Sequence, residues 1–396
     1  MVNSCRQKGE FVIFKVKFKM YRTYTLGILF LIVLAKPSFS QPNDSILDIN
    51  SFVKSVAFIY EPRIKTEIKN GKHYEVYLKD ISTNRVEPLL DPVTGSAFFV
   101  SQEFDYYMVT ASHVAKVISP NTRVILSDSL QKPFSIPINQ IVQIENNKIS
   151  WVEHKEADVS VIKLDIDRLL ELLNKGVKID FIPTYAINYE LEAPRRDIEI
   201  TVYGYPLNYP LRLDPGSRIS SITKSYKASS DLIDMPRFDN KIVSTFFLVD
   251  DPSVGGFSGG PVISLPQTIF RGSLILNSKV GVVGIVHGTI NGKAGGFGAI
   301  TPSKYIIETI AMAPGFNGIK IYEYSNGKLW SEREYKNGRP WNIISNYDHN
   351  GNPHEKGSLK EGNGTIYLYD ESGSLIQIRY YKNGFLSNIE FKNQTE

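Results

Sequence analysis

Cysteine is nearly missing. The single one, Cys5, stands near the start of 396 residues, so the chain has no internal disulfide framework, and everything downstream lacks a thiol nucleophile or thiolate metal ligand. Histidine is also sparse, at six. His73, His154 and His287 are far apart and lack acidic neighbours in a ligand spacing, and His349 and His354 sit among asparagines in a turn, so no metal is expected. A phosphate-cradling lysine loop and a dinucleotide fingerprint are both lacking, so no cofactor is expected. Charge of one sign is scarce too: 45 basic against 41 acidic residues give +4, part of it in the head that holds Lys8, Lys15, Lys17, Lys19 and Arg22. Such a balance argues against a nucleic-acid partner.

Long apolar runs are limited to Thr23–Ala35, shorter than the about 20 residues a membrane-spanning helix requires. Behind basic Lys19 and Arg22, and leading to the small residues Ser38 and Ser40, this run reads as a signal peptide over residues 1–40, with cleavage after Ser40 and an alternative start at Met20. Export to the periplasm or the medium is the expectation, and the mature chain would then have no cysteine.

What the chain has in abundance is short strand-like runs. Between about Ser51 and Ala313 these include VAFIYE (56–61), HYEVYLKD (73–80), SAFFV (96–100), YYMVTA (106–111), TRVILS (122–127), ADVSVIKLD (157–165), IEITVYGY (198–205), VSTFFLVD (243–250), PVISL (261–265) and VGVVGIVHG (280–288). Some alternate apolar with polar residues, and others are apolar throughout, as strands covered on both faces are. LDIDRLLELLNKG (164–176) and PSKYIIETIAMA (302–313) read as helices, the second opened by Pro302. Many strands with few helices predict a sandwich or barrel. After APGFNG (313–318) the composition shifts to tyrosine-rich runs with turn glycines at Gly327, Gly338, Gly351, Gly373 and Gly384, a near-period of 11 or its double, which predicts stacked hairpins.

Three chemical residue types stand in separate contexts: His113 in VTASHVA, Asp158 in ADVSVIKLD and Ser258 in DPSVGGFSGGPV. A serine attacking a carbonyl must shed its proton, an imidazole can take and return it, and a carboxylate can orient that imidazole and stabilise its cation. Each alone has a structural reading, as a packed strand-end histidine, a capping aspartate and a serine in a glycine turn. Their joint occurrence favours the proton relay.

These segments resemble the trypsin-like serine endopeptidases of the chymotrypsin superfamily, in particular their bacterial disulfide-free type. Thr110-Ala111-Ser112-His113-Val114 is similar to that family's TAxH(V/C), Asp158-Val159-Ser160-Val161 to its D-apolar-(A/S)-apolar segment, and Gly256-Phe257-Ser258-Gly259-Gly260-Pro261 to GxSGGP. The likeness covers about residues 86–312 and extends to VYGYP (202–206) and GAITPSKYI (298–306). It implies an all-β fold of two six-stranded β-barrels with the triad between them, a protein or peptide substrate, and a covalent acyl-enzyme needing no cofactor. It also implies an oxyanion hole from the N–H groups of Gly256 and Ser258. The substrate pocket would have Pro252 at its base, where a strictly trypsin-like pocket has an acid, and a wall at Ile285, Val286, His287 and Gly288. His287 stands one place from the histidine that reads an acidic side chain in glutamate-specific relatives, and bulky Phe257 is expected to narrow the approach to the serine.

The tail resembles MORN-like repeats in Tyr324-Ser325-Asn326-Gly327, Tyr335-Lys336-Asn337-Gly338 and Tyr381-Lys382-Asn383-Gly384. Its ligand would be an envelope surface, a glycan or a protein. The resulting division is a signal peptide at 1–40, an extension or first-barrel brace at 41–85, a protease domain at 86–312 and β repeats at 318–396. The competing function is a catalytically silent, protease-fold binding or scaffold protein of the envelope, with the triad displaced or the pocket blocked by Phe257; a third is a regulated enzyme whose cleft residues 42–85 cover.

Overall fold

Period-two burial sorts most of the strands into two large sheets. The computed structural model describes residues 49–392 except 70–71, 80–83, 85, 104, 129–130, 143, 146–147, 178, 207–217, 254, 265–266, 271–272, 277–280, 293–294, 325 and 371; Cys5 and the leader read at 1–40, with its cleavage point, lie outside the described residues. In the first sheet the spatial order is Val152–Glu153, Ser160–Lys163, Asp105–Thr110, Val93–Gln102, Val56–Glu61, Arg123–Ser127 and Pro133–Pro137, with Ile182–Pro183 added in parallel to Val93–Gln102. The second runs Ile222–Lys227, Glu199–Gly204, Pro261–Ser264, Gly281–Gly292, Gly295–Pro302, Val243–Val249 and Ile233–Pro236.

The chain is all-β in class, but the sheets have eight and seven strands instead of six, and neither hydrogen-bonded path closes on itself. One added member is Ile233–Pro236, whose four residues IDMP are too short and too polar to announce a strand; it exists because it pairs with Val243–Val249. Val56–Glu61 pairs with both Val93–Gln102 and Arg123–Ser127, so the first sheet begins inside the 41–85 segment.

Strand Val93–Gln102 shows why an unbroken apolar run was present. Ala97 and Phe99 face one buried cluster with Ala57, Ile59, Met108 and Val124. Phe98 and Val100 face another, shared with Phe58, Val109, Tyr203, Ile263 and Ile285, which draws on both sheets and joins them. Each phenylalanine so buried contributes about 1.5–3 kcal/mol. Two helices complete this part. Asp165 caps Ile166–Asn174, its carboxylate accepting the N–H groups of Asp167 and Arg168, and Leu169 and Leu172 form the buried face. The second helix, Lys304–Met312, starts later than expected because Pro302 still pairs across from Gly284 as the end of a strand.

The C-terminal residues form two three-stranded units, Gly318–Glu323, Leu329–Lys336, Arg339–Asn346 and Gly364–Tyr369, Leu375–Lys382, Phe385–Phe391. Asn337-Gly338 and Asn383-Gly384 each take two successive positive φ angles, the geometry a two-residue hairpin loop demands. Asn326-Gly327 instead lies in a wider loop closed by Tyr324 and Lys328. The tail docks on the tip of the hairpin between Val93–Gln102 and Asp105–Thr110. There the Tyr381 hydroxyl donates to Glu103 Oε1 (2.7 Å) and Gln102 Nε2 to the Gly384 carbonyl (3.2 Å), while Phe385 enters the cluster shared by the two sheets.

Candidate active site

Strand register brings His113 and Asp158 together. Ser160–Lys163 pairs antiparallel with Asp105–Thr110, with Ser160 opposite Thr110. Moving two residues outward from that pair reaches Asp158 on one strand and Ser112 on the other, just where the chain turns into the short helix Ser112–Ala115 that carries His113. Ser112 Oγ and Ser160 Oγ are bonded at 2.9 Å and fix the junction. Asp158 then grips His113 twice: Oδ1 accepts its backbone N–H at 3.0 Å and Oδ2 meets its Nδ1 at 2.6 Å.

Asp158 has two further donors. His287 Nδ1 lies 2.5 Å from Oδ2, and Arg237 Nη2 lies 2.7 Å from Oδ1. Burial of this wholly enclosed carboxyl would raise its pKa, but hydrogen bonds from His113 and His287, with their charges, outweigh burial and hold it ionised well below the usual carboxylate range. An ionised carboxylate only accepts, so both imidazoles present Nδ1–H to it. With Nδ1–H directed at Asp158, the neutral form of the His113 ring has its lone pair on Nε2.

Ser258 comes from the turn before strand Pro261–Ser264, and the turn is tied to the first sheet. Ser96 N–H donates to the Ser258 carbonyl (2.8 Å), Ser96 Oγ donates to the Gly256 carbonyl (2.8 Å), and Thr110 Oγ1 donates to the Ser96 carbonyl (2.8 Å). Gly256 and Gly259 take φ of +100° and +83°, and a Cβ on Gly259 would collide with the Ser96 carbonyl oxygen and Thr110 Oγ1, so glycine is required. Among the described residues the N–H groups of Gly256 and Ser258 have no acceptor. Ser258 Oγ donates to the His287 carbonyl at 3.2 Å and, among the described residues, makes no bond to His113.

Phe257 does not narrow the approach. Its side chain is 1% exposed and packs inside the second sheet with Val202, Phe247, Val262 and Val286, because the tight turn sends residue 257 inward and leaves Ser258 at the surface of the core. The ring beside the site is Phe238, half exposed, with centroids 4.9 Å from His113 and 4.4 Å from His287. Of the expected pocket residues, Pro252 lies partly exposed on the loop leading to the serine, and Ile285 and Val286 turn their side chains into the core. Gly288 lies under Phe238, and His287 is sealed between Phe238 and Phe246 with Nδ1 on Asp158. All three side chains at 285–287 are buried, and the group that meets Ser258 there is the His287 carbonyl.

His287 has no acidic neighbour in sequence; at a register shift between Val286 and Gly288, its ring meets Asp158 across 129 residues of chain. His113, Asp158 and His287 thereby offer three metal-ligand atoms within 4.8 Å of one another, but the Arg237 guanidinium on the same carboxylate opposes a further cation. His154, also read without an acid, meets Glu308 at 3.2 Å. Arg237, Phe238 and Ser96 escaped the sequence reading because nothing local marks them: each acts across more than 75 residues of sequence or by packing alone.

No family model matches the chain, and no curated protein matches it. Solved structures do. The apo protease domain of MamO from Magnetospirillum magneticum is 12% identical, with 65% of this chain and 96% of that one covered and a TM-score of 0.39. The HtrA-type protease AlgW with a decapeptide is 14% identical, with 87% and 97% covered and a TM-score of 0.36. The scabies mite inactivated protease paralogue S-I1 is 14% identical, with 67% and 96% covered and a TM-score of 0.37.

Proposed function

We propose that the chain is a serine endopeptidase with a trypsin-like site in which Ser258 is the nucleophile, His113 the general base and Asp158 the orienting acid. The observation that carries this reading is the two-point grip of buried Asp158 on His113, which fixes both ring orientation and tautomer, beside a glycine turn that presents Ser258. Ser258 Oγ attacks a peptide carbonyl while His113 Nε2 takes its proton. The oxyanion is received by the N–H groups of Gly256 and Ser258, each worth roughly 3 kcal/mol to the transition state. Return of the proton to the departing amine leaves an acyl-serine, which a water activated by His113 hydrolyses.

For this cycle Ser258 Oγ has to leave the His287 carbonyl and donate to His113 Nε2. The same hydrogen bond to His287 favours the second reading, a silent protease-fold scaffold in which the serine stays parked. A fluorophosphonate probe separates the two. Labelling of the purified protein that Ser258→Ala abolishes, read by mass spectrometry, supports the enzyme; a folded protein that takes no label supports the scaffold. The substrate class is protein or peptide. The basic head and apolar run support export to the periplasm or medium, and the tail is proposed as a MORN-like module whose ligand is an envelope surface, a glycan or a protein.

A further inference from the structure

The acid of the site is reached by a side chain from the other sheet. Strands Ile233–Pro236 and Val243–Val249 are joined by a turn in which Arg237 N–H donates to the Ile242 carbonyl (2.8 Å) and Lys241 N–H to the Arg237 carbonyl (3.1 Å), with Lys241 at φ +63°. The turn is docked on residues 156–158: Ser244 Oγ donates to the Glu156 carbonyl, Arg237 Nη1 to the Ala157 carbonyl (2.9 Å), and Arg237 Nη2 to Asp158 Oδ1 (2.7 Å). Arg237 is 2% exposed, and its Nε and Nη2 also hold Asp239 at 2.9 and 2.8 Å. Asp239 in turn meets Lys116 at 3.5 Å, and Lys116 follows the helix that carries His113. The charges thus alternate around a ring, from Asp158 to Arg237 to Asp239 to Lys116 and back through the helix to His113.

We propose that Arg237 is a positioning residue of this site: its guanidinium fork fills Asp158 Oδ1, leaving Oδ2 to orient His113, and so makes the site depend on the second sheet's hairpin. An isolated buried charge is costly, and one that can rotate orients nothing. With Oδ1 held by Arg237 and the His113 backbone, and Oδ2 by two imidazoles, the carboxylate cannot turn without breaking a charged bond. Lysine could supply the charge but not the planar, multiply bonded fork.

The inference rests on the endopeptidase reading, and its test separates the two. Wild type, Arg237→Gln, Arg237→Lys and the milder Asp239→Asn are compared by fluorophosphonate labelling of Ser258, with rate measured per molecule that can be labelled, and by the far-downfield proton NMR signals of His113 and His287 Nδ1–H. Arg237→Gln is expected to slow labelling per site about 100-fold, the scale of a small misplacement of a catalytic group, with probe binding little changed. Arg237→Lys should recover part of that loss, Asp239→Asn should slow labelling severalfold, and the downfield signals should move in all three. A folded Arg237→Gln or Asp239→Asn protein with the wild-type rate and unmoved signals overturns the proposal. So does a loss confined to the fraction labelled, which is what a merely structural role gives. If wild type does not label, the enzyme reading falls and the NMR signals alone decide Arg237: movement supports its hold on Asp158, and no movement refutes it.

Discussion

Phe257→Ala distinguishes a side chain that blocks a cleft from one that builds a core. Phe257 is 1% exposed, with Val202, Phe247, Val262, Val286 and Ile300 in its cluster, and its ring edge covers Gly204 so closely that a Cβ there would meet Phe257 Cδ1 at 2.8 Å. Truncation removes a whole ring from a packed interior in which strand backbones cannot collapse into the space, so the cost is that of a cavity, about 3–5 kcal/mol. Urea unfolding, followed by fluorescence and far-ultraviolet dichroism, should show that loss, and Phe257→Leu should show a smaller one. Labelling of Ser258 per folded molecule should stay within about twofold, because the carbonyl and N–H groups around the serine are held by Ser96 and Val286 and not by the ring. A variant as stable as wild type, or one that labels faster and accepts bulkier substrates, would refute this account and restore Phe257 to the cleft.

Gly259→Ala forces a side chain into a left-handed position, about 1–2 kcal/mol by itself, and against the Ser96 carbonyl; labelling of Ser258 should be abolished while the protein stays folded by dichroism. Asp158→Asn removes one of the two carboxylates that hold the buried Arg237, Asp239 remaining, and should cost about 3 kcal/mol at neutral pH. Because the Asp158 carboxyl is held below its ordinary range, its stabilisation is complete above that range and is lost as pH falls through the folded value; the gap between wild type and Asp158→Asn in urea should therefore shrink below about pH 4. In the tail, burial pushes the Tyr335 hydroxyl up to about 12 and Tyr381 well above the ordinary tyrosine value. Both stay protonated in the fold while an unfolded chain ionises near pH 10, so stability should hold below that pH and decline above it, with a shallower decline in Tyr381→Phe.

Where the sequence was legible, one local pattern sufficed. Two paired inner strands showed themselves in VAFIYE, which is Val56–Glu61, and in SAFFV, which lies wholly within Val93–Gln102. The Asn-Gly pairs announced two hairpins because only residues at ease with positive φ fit such a loop. His113 and Asp158 met because each sits at a fixed offset from a strand end, and antiparallel pairing converts offset into proximity. His287 was illegible for the opposite reason. It is the residue at which the pairing with Gly295–Pro302 shifts register, and that irregularity is a property of the pairing, not of the residues around it. The direction of Phe257 was likewise set by a turn whose shape depends on contact with Ser96, far away in the chain.

The two sheets contribute different things to the candidate site, and each contribution needs the other. The first supplies His113, Asp158 and, through Ser96, the anchor for the Ser258 turn; the second supplies Ser258, His287 and Arg237. Two of these three reach Asp158, so the acid is held from both sides of the seam. A carboxylate buried in the first sheet alone would face burial with His113 as its chief partner, and the cost of desolvating it would favour protonation. Closing the second sheet onto it adds a guanidinium and an imidazole and removes that penalty. Assembly of the two sheets therefore adds partners to a buried carboxylate as well as joining strands, and Asp158 stays ionised with Oδ2 on His113 Nδ1.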